Sequence, residues 1–165
     1  DVQPVLAHAL HAFQCMRESE GERLKKDLLE KNNTVRLMAK QIASMANHAV
    51  EEYRRRLEGR LRQVLSDYQV NPVPDESRIV TECAIFADKI AIDEELVRLD
   101  SHFTAFDSLF SAEEPIGRKA DFLLQEMNRE TNTIGSKCSD IEITSLVVAM
   151  KSELEKIREQ IQNIE

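Results

Sequence analysis

Apolar residues recur every three or four positions along most of this chain, which is the spacing of an amphipathic α-helix. Across residues 5–45 the spacing has a period of about 3.5 residues, and residues 47–68 carry a second stripe with steps of three and four. We expect the first stretch to form one long helix, kinked near Gly21, and the second to return antiparallel to it. The pattern therefore predicts a helical hairpin over residues 1–70.

Two prolines interrupt the pattern in residues 71–74, which read Asn-Pro-Val-Pro. Each proline removes a backbone donor and restricts the residue before it, so this segment cannot continue a helix. We interpret residues 71–74 as a hinge. The hairpin of residues 1–70 is then predicted to project as a mobile arm from the rest of the chain.

Three further helices are predicted after the hinge, and together they form a bundle over residues 75–165. The first covers residues 75–110, and the second begins near Pro115, a residue that suits the first turn of a helix. The third begins at a capping box formed by Ser139 and Glu142. No strand-like alternation of useful length is present, so the predicted fold class is all-α with about five helices.

Composition agrees with a helical protein, since aromatic residues make up 5%, charged residues 32%, and glycine and proline number four each. No run approaches the roughly 18 apolar residues that a membrane span requires, and no secretion signal is recognisable, so we expect a cytoplasmic protein without a membrane partner. The three cysteines lie far apart and outside any zinc-ligand pattern. The chain starts at an aspartate rather than a methionine, which suggests a fragment of something longer.

The formal net charge of −8 argues against a uniformly basic nucleic-acid binder, although local basic patches can override it. The densest patch is on the predicted second helix and consists of Arg54, Arg55, Arg56, Arg60 and Arg62. Two interpretations remain open. The arginines either pair with glutamates, namely Glu18, Glu20 or Glu22 on the first helix or Glu51 and Glu52 on their own, or they contact phosphate groups.

The stretch of residues 117–137 has more polar residues than a helix needs for structure. Glu126 and Glu130 are one helical turn apart on its edge, with Lys119 and Lys137 on the same line. Two adjacent like charges cost a few tenths of a kcal/mol unless a cation lies between them. One interpretation is a solvated face with intrahelical ion pairs. The other is a carboxylate pair that binds a divalent cation or acts in acid–base chemistry.

Two further groups of residues could belong to the same site. Arg118, Arg129 and the aromatic ring of Phe122 lie on the remaining face of this helix, away from its apolar stripe. On the preceding helix, Glu95 and His102 lie two turns apart at the border of the apolar stripe. Such a histidine is either a packed residue satisfied by a carboxylate or part of a cleft wall.

Four stretches resemble the C-terminal region of the YicC-type endoribonuclease family. They are GRKADFLLQEMNRE and NTIGSK within residues 117–137, the DEEL, RL and SH motifs within residues 93–102, and residues 151–165, which end in QNIE. The motifs occur in order across most of residues 75–165, and the preceding helical arm also fits. Ala120 departs from the bulkier leucine expected there, at a core-facing position that carries no chemistry.

This resemblance implies a cytoplasmic protein that cuts RNA with a divalent cation, Mn²⁺ or Mg²⁺, and that assembles as a homo-oligomer, with a hexamer expected. It also implies a further N-terminal domain of about a hundred or more residues that is not in this chain. If that domain supplies part of the RNA channel, the present chain can fold and yet cut nothing.

Chemistry and resemblance together give the candidate site. The candidate catalytic and metal-binding residues are Glu95, His102, Glu126 and Glu130. The candidate RNA-binding residues are Arg54, Arg55, Arg98, Arg118, Lys119, Phe122, Arg129 and Lys137. His102 could instead serve as a general acid or base, and Phe122 could stack on a base.

A second function of another class remains open, namely a helical RNA-binding or oligomerisation module without catalytic activity of its own. Convergence of Glu95, His102, Glu126 and Glu130 in the fold would favour the nuclease. Independently of that choice, the long apolar stripes exceed what one small bundle can bury, which predicts self-association through exposed helix faces.

Overall fold

The computed structural model describes residues 2–67, 75–111, 115–138 and 140–162, and all regular secondary structure in these ranges is α-helical. The helical segments are α1 (Val2–Asp67), α2 (Glu76–Ile90), α3 (Asp93–Leu109), α4 (Gly117–Lys137) and α5 (Ile141–Ile161). The all-α prediction with about five helices is confirmed. Within the described ranges, no helix is long and apolar enough to cross a membrane.

The predicted hairpin within residues 1–70 is wrong, because α1 is one continuous helix of 66 residues. At a rise of 1.5 Å per residue it is about 100 Å long. The expected turn near Asn47 does not form, since its neighbourhood contains neither proline nor glycine and nothing there interrupts the backbone hydrogen bonds. The helix that packs back on this half of α1 is α2. The predicted hinge at 71–74 lies outside the described residues.

A second correction concerns residues 75–110, where two helices replace the single predicted one. Ala91 adopts an extended conformation with φ −60° and ψ 117°, and Ile92 has a buried side chain that is 2% exposed. The new helix begins with the acidic residues Asp93, Glu94 and Glu95, which favour the positive end of the helix dipole. The break therefore reflects burial of Ile92 together with a favourable N-terminus, rather than a helix-breaking residue.

The core is a four-helix bundle, because the middle of α1 packs with the three helices predicted to form a bundle alone. Helix α1 contacts α3 and α5, and α4 also contacts α3 and α5, so that the four helices form a ring. Neighbours run antiparallel, as shown by contacts of Asn32 with Asp107 and of Lys137 with Glu95. The central side chains include Leu28, Val35, Ile42, Leu99, Phe103, Phe106, Met127, Ile134, Met150 and Ile157.

Both ends of α1 extend beyond this core. Residues 2–23 are exposed, and the large apolar side chains among them are Val2, Val5, Leu6, Leu10, Phe13 and Met16. The other end packs on α2, where the rings of Tyr53 and Phe86 stack with their centroids 4.0 Å apart. The exposed apolar side chains suit the predicted self-association, which stays a prediction. Residues 28–42 of the predicted arm lie in the core, so mobility stays a prediction for its exposed first part only.

The last helix begins one residue later than the predicted capping box. Asp140 is its N-cap, and the carboxylate of this residue accepts hydrogen bonds from the backbone amides of Glu142 (2.8 Å) and Ile143 (3.1 Å). An aspartate fills this role as well as a serine does. Ser139, the predicted cap, lies outside the described residues.

Two glycines in helix interiors are expected to respond differently to alanine. A Cβ at Gly59 meets nothing within 4 Å, whereas a Cβ at Gly135 would lie 3.0 Å from Cγ1 of Val147 on α5. Gly59→Ala should therefore increase helix stability by about 0.5–1 kcal/mol. Gly135→Ala should gain less or lose stability, because Val147 has to move. Denaturant unfolding followed by circular dichroism measures both, and equal gains at the two positions would contradict the close α4–α5 contact.

Candidate active site

The antiparallel packing of α3 against α4 brings His102, Glu126 and Glu130 together. One ligand atom from each residue lies within 4.8 Å of the other two. Glu126 and Glu130 are one turn apart on α4, and His102 reaches them from α3. In the described part of the chain, no other group of three histidine, cysteine, aspartate or glutamate residues comes this close. The predicted convergence is therefore present for three of the four candidate residues.

One ring nitrogen of His102 is enclosed by protein. This Nε2 atom is buried and has no hydrogen-bond partner among the residues that the structure describes. A buried polar atom without a partner is unfavourable, and in native proteins such atoms usually have a ligand or an ordered water molecule. His102 therefore has one buried nitrogen without a partner in the described structure, and one of its two ring nitrogens lies within 4.8 Å of a carboxylate oxygen of Glu126 and of Glu130.

Glu130 is almost completely buried, with a side chain that is 2% exposed, and two guanidinium groups compensate its charge. Its Oε2 lies 3.0 Å from Nε of Arg98, and its Oε1 lies 3.1 Å from Nη2 of Arg129. The same Nη2 atom of Arg129 is 2.9 Å from Oε2 of Glu126. The ion pair with Glu130 is the main cause that raises the pKa of Arg98. The site thus holds two carboxylates, two guanidinium groups and one imidazole.

The structure places Glu95 outside the three-residue group, although it was predicted as a ligand. Glu95 lies seven residues before His102 on α3, which is about 10 Å along the helix axis. Its Oε1 accepts a hydrogen bond from Nζ of Lys137 at 2.9 Å and lies 3.4 Å from Nη2 of Arg98. Glu95 therefore contacts the group through Arg98, whose guanidinium bridges Glu95 and Glu130.

Glu95 should also affect stability at acid pH. Burial alone raises the pKa of Glu95, but the hydrogen bond from Lys137, a backbone hydrogen bond and the charge of Arg98 outweigh it, so the folded pKa lies below the ordinary 4.5. A lowered folded pKa means that the ionised carboxylate stabilises the protein above about pH 4.5, and that this contribution is lost as pH falls through the folded pKa. Glu95→Gln should therefore lower the melting temperature at neutral pH and reduce its fall below pH 4.5.

The control for this pH effect is Glu94→Gln on the same helical turn. Glu94 also pairs with Arg98, but its side chain is 81% exposed. This variant should follow the wild-type stability curve at every pH. If Glu95→Gln also follows that curve, the proposed effect of the Glu95–Lys137 pair is excluded.

The candidate RNA-binding residues fall into two environments at this site. Arg98 and Lys137, which were predicted to contact phosphates, are engaged in the ion pairs of Glu95 and Glu130. Arg118, Phe122 and Arg129 instead lie along the outer face of α4, where Phe122 is 60% exposed and the Arg129 side chain is 63% exposed. Lys119 is exposed beside them. The accessible stripe from residue 118 to residue 129 is about 16 Å long.

Arg54 and Arg55 lie on α1, which contributes no residue to the α3–α4 group. Arg54 forms ion pairs with Glu58 at 2.9 Å and with Glu76 of α2. Arg54 is therefore engaged in ion pairs, but with Glu58 and Glu76 and not with the glutamates that were predicted. Arg55 is exposed, and phosphate contact by this residue stays a prediction.

A buried polar cluster that sequence reasoning missed joins α1 to α3 next to His102. Asn32 is fully buried, and its Nδ2 donates hydrogen bonds to the backbone oxygen of Phe103 (3.1 Å) and to Oδ1 of Asp107 (2.7 Å). Arg36 pairs with Asp107 at 2.7 Å, and its guanidinium lies 5.6 Å from the ring centroid of Phe103. An asparagine at an apolar-stripe position was the available signal, because such a residue often sets helix register.

Comparison with known proteins points to the part of the chain that contains this site. Residues 42–165 match the family described as Endoribonuclease YicC-like, C-terminal. The chain belongs to the YicC-like endoribonuclease family. The matched YicC-like region includes α3 and α4, and so it contains the whole His102, Glu126 and Glu130 group.

Two curated YicC relatives match nearly the whole chain. The chain is 48% identical over 157 residues to a protein of Clostridioides difficile (strain 630), covering 95% of this chain and 53% of that relative. It is 35% identical over 153 residues to a protein of Haemophilus influenzae (strain ATCC 51907 / DSM 11121 / KW20 / Rd), and the match covers 93% of this chain and 51% of that relative. Both are named "Probable endoribonuclease YicC". The chain spans about half the length of these relatives.

Proposed function

We propose that this chain carries the metal-binding part of the active site of an endoribonuclease, held by His102, Glu126 and Glu130. The observation that supports it most directly is the convergence of these three side chains across two helices, within 4.8 Å of one another. The buried Nε2 of His102, which has no partner in the described part of the chain, adds a nitrogen ligand. Together these residues supply the oxygen and nitrogen ligands that hard and borderline divalent cations take.

The donor set favours Mn²⁺ over Mg²⁺ as the bound ion. Two carboxylates suit either ion. The imidazole nitrogen is a softer ligand than the oxygen atoms and water molecules that Mg²⁺ prefers, so the complete set suits Mn²⁺ better. When bound, such a cation supplies Lewis-acid stabilisation of charge on the phosphodiester group. His102 serves as a ligand in this proposal rather than as a general base.

The outer face of α4 is proposed as the RNA contact. Arg118 and Arg129 can reach phosphate groups, and Phe122 offers an exposed ring on which a base can stack. Arg98 holds the buried carboxylates in place instead. Because stacking and phosphate contacts do not read base edges, we propose a single-stranded substrate with little sequence preference.

The same proposal includes a cytoplasmic homo-oligomer, for which the exposed apolar side chains of residues 2–16 offer a surface.

A second candidate is a helical RNA-binding or oligomerisation module without catalysis. One observation favours it: Glu95, Glu126 and Glu130 each contact at least one cationic side chain, as in a structural ion-pair network. In that case the carboxylates stabilise the α3–α4 interface, and removing Glu126 has no effect on metal binding. The two functions therefore predict opposite results in one experiment.

Mn²⁺ binding measured by calorimetry, together with cleavage of a single-stranded RNA, distinguishes them. The assay uses the full-length natural protein, because the chain spans about half of its relatives. Glu126→Gln and His102→Ala should each weaken Mn²⁺ binding by at least about tenfold and lower cleavage while the protein stays folded. Glu155→Gln, an exposed substitution on α5, is the control. Unchanged metal affinity in both site variants would reject the metal site and favour the binding module.

A further inference from the structure

Arg129 occupies the position between the two carboxylates of the proposed metal site. Its Nη2 atom lies 2.9 Å from Oε2 of Glu126 and 3.1 Å from Oε1 of Glu130. The other oxygen of Glu130 faces Arg98. Both oxygens of Glu130 therefore already have a cationic partner, and a divalent cation shared by Glu126 and Glu130 has to compete with one guanidinium group.

The two arginines differ in how firmly they are held. Arg98 contacts Glu94, Glu95 and Glu130, and its side chain is 36% exposed. Within the described ranges the Arg129 side chain forms ion pairs with Glu126 and Glu130 alone, and it is 63% exposed. The exposed Arg129 guanidinium stays hydrated when it leaves, whereas the buried carboxylate of Glu130 then needs another cation in its place. Arg129 is therefore the group that a cation can displace.

The charge balance of the site and the position of Arg129 on α4 indicate where the displaced guanidinium moves. Arg98 is shared with Glu94 and Glu95, and Lys137 also pairs with Glu95, so the connected group of four carboxylates and three cations carries a net charge of −1. A divalent cation that replaces Arg129 brings this group to zero net charge and leaves a free guanidinium on the outer face of α4. Arg129 lies on the same stripe as Arg118 and Phe122, so the released side chain reaches the surface that we assign to RNA.

We propose that Arg129 is an exchangeable counter-ion that couples metal binding to RNA binding. It neutralises Glu126 and Glu130 until a divalent cation replaces it, and it then contacts an RNA phosphate as a substrate-positioning residue. This inference rests on the metal site proposed above. Because such coupling is reciprocal, RNA that holds Arg129 away from the carboxylates must increase metal affinity by the same factor by which metal increases RNA affinity.

The experiment measures Mn²⁺ affinity of the full-length protein by calorimetry at constant ionic strength, with and without a 2′-O-methyl single-stranded oligonucleotide that resists cleavage. In the wild type, the oligonucleotide should tighten Mn²⁺ binding by about fivefold or more. Arg129→Ala should bind Mn²⁺ several-fold more tightly than the wild type without RNA. The variant should lose most of the effect of RNA on metal affinity, and it should bind RNA more weakly.

Two further variants make the result specific. Arg118→Ala removes an exposed arginine of the same stripe that contacts neither Glu126 nor Glu130, so it should weaken RNA binding and leave RNA-free Mn²⁺ affinity unchanged. Arg129→Lys keeps the charge and should restore part of the coupling. If Arg129→Ala binds Mn²⁺ as the wild type does, or more weakly, while Glu126→Gln still loses metal, the exchange is overturned and the metal site stands. If Glu126→Gln keeps full metal affinity, the site itself has failed.

Discussion

Glu130→Gln should lower RNA cleavage by at least about a hundredfold while the four-helix core stays folded. Glu130 is the most buried of the three proposed ligands, with a side chain that is 2% exposed. Glutamine has the same shape and keeps one carbonyl acceptor for Arg98 or Arg129, but it lacks the negative charge that strengthens the binding of a divalent cation. A hundredfold loss corresponds to about 2.7 kcal/mol of transition-state stabilisation.

The measurement is single-turnover cleavage of a single-stranded RNA across a Mn²⁺ titration, with thermal melting as the folding check. Glu94→Gln is the matched control, because it removes another carboxylate partner of Arg98 without touching the proposed ligands. It should cut RNA at the wild-type rate. Cleavage by folded Glu130→Gln within about threefold of that rate would show that this carboxylate is structural.

The apolar spacing predicted the helical fold but not which helices pair. A stripe of period 3.5 to 3.6 identifies a helical face and cannot show whether the chain turns, since a turn depends on breakers and on tertiary partners. No glycine or proline follows Ala46 for a dozen residues, so α1 continues and α2 takes the place of the predicted return helix. The break between α2 and α3 contains no helix-breaking residue, because it depends on burial of Ile92 among the other helices.

The candidate site was predictable where it depends on one helix and not where it depends on two. The one-turn spacing of Glu126 and Glu130 follows directly from helix geometry. The approach of His102 depends on the register between α3 and α4, which no local pattern specifies. The same register places Arg98 against Glu130 and Lys137 against Glu95, so these cations compensate buried charges rather than line the outer surface.

Two phenylalanines should give opposite results when each is replaced by alanine. Phe103 is 1% exposed in the centre of the core, whereas Phe122 is 60% exposed on α4. Phe103→Ala should lower the free energy of unfolding by about 3–5 kcal/mol, because it removes a buried ring and leaves a cavity. Phe122→Ala should change that free energy by less than about 0.5 kcal/mol, since its ring packs little protein surface.

RNA binding should show the reverse order. Phe122→Ala should weaken binding of a single-stranded RNA by about 1–3 kcal/mol if one base stacks on its ring. Phe103→Ala should bind RNA as the wild type does at a temperature where it is folded, and Phe103→Leu, which keeps most of the apolar volume, provides the same comparison at higher temperature. Denaturant unfolding and fluorescence anisotropy measure the two quantities. Unchanged RNA affinity in Phe122→Ala would remove the stacking contact, and the RNA surface proposed on α4 would then depend on phosphate contacts such as those of Arg118 and Arg129.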